Sequence, residues 1–192
     1  MKNLLLILLL FPFFLNAQEL VYFKLTPNAT FVSESNENFV IVPFEGKNAH
    51  EIYQILASNV GSTFNDPSKI MTSVQDASIK IRAYSDNIYL KKIGLGMVLV
   101  FKGYYQLEFR IKDGRVRVSA PLVEEEIDGP PTTLGNGIGE YSFSKLVNTW
   151  FNNGEIKKKE KQNVINLETE LNSVINTILG LIGSTKQVEE DW

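Results

Sequence analysis

Residues 105–120 read YQLEFRIKDGRVRVSA. Tyr105, Leu107, Phe109 and Ile111 alternate with Gln106, Glu108, Arg110 and Lys112. A period of two places every second side chain on one face, so the first half is a strand with one buried and one wetted side. Asp113-Gly114 follows, a pair favoured in a two-residue type I′ turn because both central residues need positive φ. Val116, Val118 and Ala120 then resume the alternation between Arg115, Arg117 and Ser119. A turn of that length sets Lys112 opposite Arg115, Ile111 opposite Val116, Arg110 opposite Arg117 and Phe109 opposite Val118. The stretch is a β-hairpin.

That register concentrates charge. The wetted face carries Arg110, Lys112, Arg115 and Arg117 as two directly opposed cation pairs, and like charges facing each other across strands cost roughly 0.2–1 kcal/mol per pair. Glu108 is expected diagonally beside Arg117, where it relieves part of the repulsion. Two readings follow: a solvated basic face served by acids from neighbouring strands, or a surface that binds an anion or an acidic partner.

Upstream, Phe39–Phe44 (FVIVPF) is a strand whose Pro43 lacks a backbone donor and so points to an edge or a strand end. Asn48 and Glu51 have capping-box spacing. Ala49, Ile52, Tyr53, Leu56, Ala57 and Val60 recur at helical spacing, and Gly61 with Asp66-Pro67 is expected to end the helix. Lys69–Val74 and Ser78–Tyr84 are strands joined by a tight turn at Gln75-Asp76-Ala77. After Ser85-Asp86-Asn87 the chain runs from Ile88 through Gly94 and Gly96 to Phe101, which reads as a long strand bent at the glycines. Lys80 and Arg82 extend the basic face if their strand joins the same sheet in matching orientation.

Two of these stretches resemble a known family. Gly46-Lys47-Asn48 leading to Glu51-Ile52-Tyr53, with the Lys112-Asp113-Gly114-Arg115-Val116-Arg117 hairpin, is similar to an exported bacterial domain of unknown function described as having a TATA-binding-protein-like fold. The resemblance covers roughly residues 39–121. Val116 stands where that family usually has Tyr, and the first helix lacks the tryptophan many members carry. The resemblance implies an α+β fold, a curved antiparallel sheet of about five strands with helices packed on one face. It implies no activity.

Downstream, residues 122–141 form a polar connection with Glu124-Glu125-Glu126, Gly129-Pro130-Pro131 and Gly135, Gly137 and Gly139. A connection this long is either functional or disordered, and folding back onto the basic face is a further reading. Ser142 caps a short helix bearing Phe143, Leu146, Val147, Trp150 and Phe151, stopped by Asn152-Asn153-Gly154. A last helix is expected from about Glu155 or Ile156 to Ile182. Its Val164, Leu167, Leu171, Val174, Ile178 and Leu181 follow coiled-coil spacing over less than three heptads, so residues 164–181 either pack on the sheet or seat a second copy as a homodimer. Lys157-Lys158-Lys159 at the helix start opposes the macrodipole.

The chain opens with Lys2 and an apolar run from Leu4 to Leu15, then Asn16-Ala17-Gln18, the pattern of an export signal cleaved near Ala17. The run falls far short of the roughly 20 residues needed to cross a bilayer, so no transmembrane segment is expected once it is removed. The remainder divides into a leader (18–38), the sheet domain (39–121), the connection (122–141), the C-terminal helices (142–183) and a tail (184–192). Export makes nucleic acid an unexpected partner and leaves a periplasmic or secreted location, with an envelope protein or an anionic surface as candidate partners.

The sequence has no cysteine and one histidine, His50. Thiol catalysis and cysteine-ligated metals are excluded, a two-histidine metal site cannot form, and no catalytic group or cofactor is expected. The leading functional expectation is therefore a non-catalytic binding domain, with Arg110, Lys112, Arg115, Arg117, Lys80 and Arg82 as candidate contact residues. The alternative is a carrier of an apolar small molecule or lipid, held between the sheet and the last helix by Phe101, Tyr105 and Phe109; tight packing would make the same three residues core.

Overall fold

The computed structural model describes residues 20–92, 98–129 and 139–181. The expected export signal, the tail from 184 and the glycines at 94, 96, 135 and 137 lie outside them. In chain order the elements are β1 (Phe23–Leu25), β2 (Phe31–Ser33), β3 (Phe39–Pro43), α1 (Ala49–Thr63), α2 (Pro67–Ile70), β4 (Met71–Val74), β5 (Ser78–Lys92), β6 (Val98–Lys112) and β7 (Arg115–Ser119). Then come β8 (Leu122–Gly129), β9 (Gly139–Ser142), α3 (Phe143–Trp150), β10 (Phe151–Asn152), β11 (Glu155–Ile156) and α4 (Lys161–Leu179).

The fold is α+β. The principal sheet has seven strands in the order β3-β7-β6-β5-β4, with β8 pairing β6 beyond the end of β7 and carrying β9. Every strand pair is antiparallel. The count exceeds five because Leu122–Gly129, expected as connection, and Gly139–Ser142, which begins in it, are strands. In Leu122–Gly129 the apolar positions Val123 and Ile127 are separated by the Glu124-Glu125-Glu126 run, which hides the alternation; the register slips opposite Gly103 and restores both side chains to the buried face. A matching slip between Ser85 and Tyr89 makes β5 one continuous strand where the sequence suggests a break. Ile88–Phe101 is in turn not one bent strand. Tyr89 pairs with Phe101 and Lys92 with Val98, so the chain reverses between β5 and β6.

The central hairpin has the expected register, Phe109 opposite Val118 through Lys112 opposite Arg115. Its turn differs from type I′. Gly114 has φ of 73° while Asp113 does not enter the positive region. Asp113 is instead committed to its neighbours: its carboxylate accepts from Ala49 N at 2.8 Å, while Gly114 N donates to Lys47 O at 2.8 Å. The turn thus braces the start of α1, where the Asn48–Glu51 capping box is complete. α1 runs through Gly61 to Thr63 and buries Ile52, Leu56 and Val60 fully. Each such side chain contributes about 1.5–3 kcal/mol. α1 lies over β5, β6 and β7 and beside α4, so both helices cover the apolar face of the sheet.

α4 starts later than expected. Asn153 and Gly154, both at positive φ, form a two-residue turn between β10 and β11 before the helix begins at Lys161. Lys157, Lys158 and Lys159 therefore precede the helix; Lys157 Nζ donates to Thr149 O at 2.7 Å. Val164, Leu167, Leu171 and Ile178 are fully buried in the chain's own core, and Val174 and Leu181 pack against it. The 3-4 seam is spent on the fold and presents no exposed stripe to a second copy.

The leader is a β-hairpin, β1–β2, held by an unusual partner. Beside the apolar stripe of α4 run Glu168, Asn172 and Asn176, one helical turn apart and each less than a tenth exposed. Asn176 accepts from Val21 N and donates to Val21 O, and Asn172 does the same with Phe23, all four at 2.8 Å. Glu168 accepts from Leu25 N and Tyr22 OH, both at 2.7 Å. Four helical residues rise about 6 Å and two strand residues about 6.6 Å. The side chains therefore keep step with alternate strand residues and satisfy an edge that water cannot reach.

Candidate functional site

The basic face is built on β5, β6 and β7. Arg110 faces Arg117 and Lys112 faces Arg115 across the β6–β7 pair. Lys80 and Arg82 lie on the same face, opposite Glu108 and Gln106 across the β5–β6 pair. The six cations expected together are thus together. Lys80, Arg82, Arg110, Lys112 and Arg115 are exposed and Arg117 is half-buried.

They are not equivalent. Arg82 is engaged on two sides: its guanidinium donates to both oxygens of Glu124 at 2.6 and 2.8 Å and stacks 3.7 Å above the Tyr104 ring. The hydrogen bond from Arg82 is the largest of the effects that hold the Glu124 carboxyl below its usual range, and Gln106 Nε2 adds another at 3.0 Å. Lys80 and Arg110 share one acid, Glu108, at 3.5 and 3.1 Å. Burial would raise the Glu108 carboxyl, but the Arg110 hydrogen bond, the two cations and the Ser119 hydroxyl outweigh it and lower it.

Arg117 does not meet Glu108. Its guanidinium lies 4.3 Å over the ring of Phe39 on β3, a cation–π contact that carries the charge across to the margin of the sheet. Among the described residues Lys112, Arg115 and Arg117 form no ion pair. The face therefore divides into a neutralised half around Arg82 and a half with excess positive charge at the hairpin end.

Glu124 and Phe39 were not identifiable as parts of this surface from sequence. Glu124 sits in the acid run of the expected connection, and nothing local marks which of three consecutive glutamates faces Arg82. Phe39 is half-buried at the start of a strand and looks like any core aromatic. His50 lies apart, with Nδ1 3.0 Å from Asp76 Oδ1 across the top of α1 and the β4–β5 turn.

Phe101, Tyr105 and Phe109 are core residues. All three are at most 4% exposed, and Phe101 packs between Tyr89 and Tyr141. Gly129 permits this cluster, because a Cβ there would lie 2.4 Å from the Tyr141 ring and 2.8 Å from Phe101. A groove of about 1240 Å³ lies elsewhere, bordered by residues 20–22 just ahead of β1, the β2–β3 turn, residues 40–45, Lys47, Ile55 of α1 and the end of α4 at Leu179 and Gly180. None of the three aromatics lines it. Among the described residues no three His, Cys, Asp or Glu cluster as metal ligands, and no helix is long and apolar enough to cross a membrane.

No family model and no curated protein matches the chain. Among solved structures, it is similar to a TBP-like protein from Parabacteroides distasonis, at 13% identity and a TM-score of 0.44, covering 73% of this chain and 90% of that one. It is also similar to a DUF4468 family protein from Bacteroides ovatus, at 10% identity and a TM-score of 0.48, covering 86% of this chain and 92% of that one.

Proposed function

We propose that this chain is a non-catalytic, exported binding domain whose contact surface is the cation-rich end of the central hairpin. The observation that carries the reading is the unequal neutralisation of the sheet face. Among the described residues Lys112, Arg115 and Arg117 form no ion pair, whereas Lys80 and Arg110 share Glu108 and Arg82 holds both oxygens of Glu124. Two like-charged cross-strand pairs oppose folding by roughly 0.2–1 kcal/mol each, a cost that an anionic partner would relieve. A β-scaffold fixes the backbone that carries these charges, so binding has only the side chains left to order. The partner is an acidic envelope protein or another anionic surface.

The test is a comparison of two charge reversals in a pulldown from envelope extracts. Arg115→Glu with Arg117→Glu is expected to remove the captured partner; Lys80→Glu, on the half with local acids, is expected to reduce capture far less. Equal capture by all three proteins moves the contact surface off this face.

A further inference from the structure

We propose that the outer edge of β3 accepts an added strand from an acidic partner protein, an extended segment in which carboxylate and aliphatic side chains alternate. The inference rests on the basic face being a contact surface and gives its partner a chemistry and a binding mode.

The backbone supplies the first part. In an antiparallel pair, alternate residues direct both N–H and C=O at the neighbour. Asn38 O accepts from Ala120 N and Phe44 N donates to Gly114 O, so even-numbered residues of β3 face β7. Phe39 and Ile41 consequently turn their N–H and C=O outward. Among the described residues, no strand pairs with that edge. It borders the groove of about 1240 Å³, and Ile41 is 47% exposed. Four outward backbone groups in register are what an incoming strand pairs with. Pro43, which has no N–H, limits the register at one end.

The two sides of that edge differ in chemistry, and the difference names the partner. An added strand would show alternate side chains to the groove and to the basic face. On the groove side stand Val40, Val42, Ile55 and Leu179, which favour aliphatic side chains, with Glu34, Glu45 and Lys47 at its border. On the other side Arg117 already reaches over β3 onto Phe39, and Arg115 lies opposite Pro43 in the ladder. Among the described residues neither arginine pairs with a carboxylate. Acidic residues on that side of the incoming strand would complete the charge balance that the chain lacks.

Fluorescence anisotropy with the purified chain tests this, using a labelled decapeptide of alternating Glu and Val as probe. The alternating peptide is expected to bind at least about tenfold more tightly than a block isomer of the same composition or a Lys-Val analogue. Ile41→Pro, which removes an outward N–H that the β7 ladder does not use, is expected to weaken binding by about tenfold or more, as is Arg115→Glu with Arg117→Glu. N-methylation of alternate probe residues asks the same question of the unaltered protein, so a poorly folded proline variant does not decide the matter. Tight binding of the N-methylated probe together with sensitivity to the arginines overturns strand addition and leaves the basic contact surface standing. Sensitivity to N-methylation without sensitivity to the arginines overturns the acidic chemistry. A concentration-dependent dimer that Ile41→Pro dissolves, with no affinity for the probe, overturns the proposal in favour of a second copy.

Discussion

β1 and β3 are both short strands at the margin of the molecule, yet their edges end differently. The inner edge of β1 meets the side chains of Asn172, Asn176 and Glu168, which reproduce the donors and acceptors of a neighbouring strand. The outer edge of β3 meets solvent across a groove. Among the described residues, this device for closing a strand edge is applied at β1 and not at β3. Buried backbone groups must be paired, whereas exposed ones have water. The closed edge is thus dictated by the core, and the open edge is free to serve binding.

The largest expected effect comes from breaking the closed edge. Asn172→Leu keeps the branching of the side chain at a larger volume and removes both hydrogen bonds to Phe23, leaving a buried N–H and a buried C=O without partners. Each such group costs about 1–3 kcal/mol, so urea unfolding is expected to show a loss of about 2–6 kcal/mol. A loss below about 1 kcal/mol would mean that water or a shifted strand replaces the amide and that the pairing does not hold the leader in place. Because Val21, Phe23 and Leu25 belong to the core, hydrogen exchange in α4 is expected to accelerate with it.

A smaller and more discriminating effect comes from making the same substitution on both strands. Val21→Pro deletes the N–H that Asn176 receives and leaves the amide oxygen of Asn176 buried, at a cost of about 1–3 kcal/mol. Ile41→Pro deletes an outward N–H on an edge strand, where proline is tolerated, and is expected to change stability by less than about 1 kcal/mol. Equal losses from the two prolines would erase the distinction between the edges.

Much of this was legible before any coordinates, and the residues show why. The 105–120 hairpin and the Asn48–Glu51 cap are local patterns, written in spacing of two and of three; the register of the one and the capping pair of the other are as expected, while the turn type and the Glu108–Arg117 pairing are not. What the sequence conceals is pairing between distant segments. The polar stripe Glu168-Asn172-Asn176 is visible as an i, i+4, i+8 series beside Leu171, Ile175 and Leu179, yet in isolation it reads as the solvated side of a helix. Only the leader, nearly 150 residues away, makes it an interior feature. The same holds for Glu124: its strand is recognisable once β6 has a free edge to receive it. The candidate cations share a face because one strand pattern placed them there; their inequality depends on Phe39 and Glu124, which no local pattern assigns.

The subtlest separation of the two edges is by pH, through Tyr22. Burial, reinforced by its hydrogen bond to Glu168 and the negative charge there, pushes the Tyr22 hydroxyl up to about 12. The folded state thus prefers the protonated phenol more strongly than the unfolded chain does. A raised value of this kind contributes stability that is fully present below about 10 and lost as pH rises towards 12. Tyr84, Tyr89 and Tyr105 are raised to about 12 as well, so alkaline loss in the native chain is shared among several groups. Subtracting Tyr22→Phe cancels the other three. At pH 8 the native chain is expected to be slightly the more stable of the two, because the hydroxyl donates to Glu168 at 2.7 Å. Between pH 10 and 12 that advantage should shrink and then reverse, since a phenolate beside the Glu168 carboxylate repels what the phenol held. A difference in unfolding midpoint that stays constant across this range would place Tyr22 outside the contacts that fasten β1 to α4.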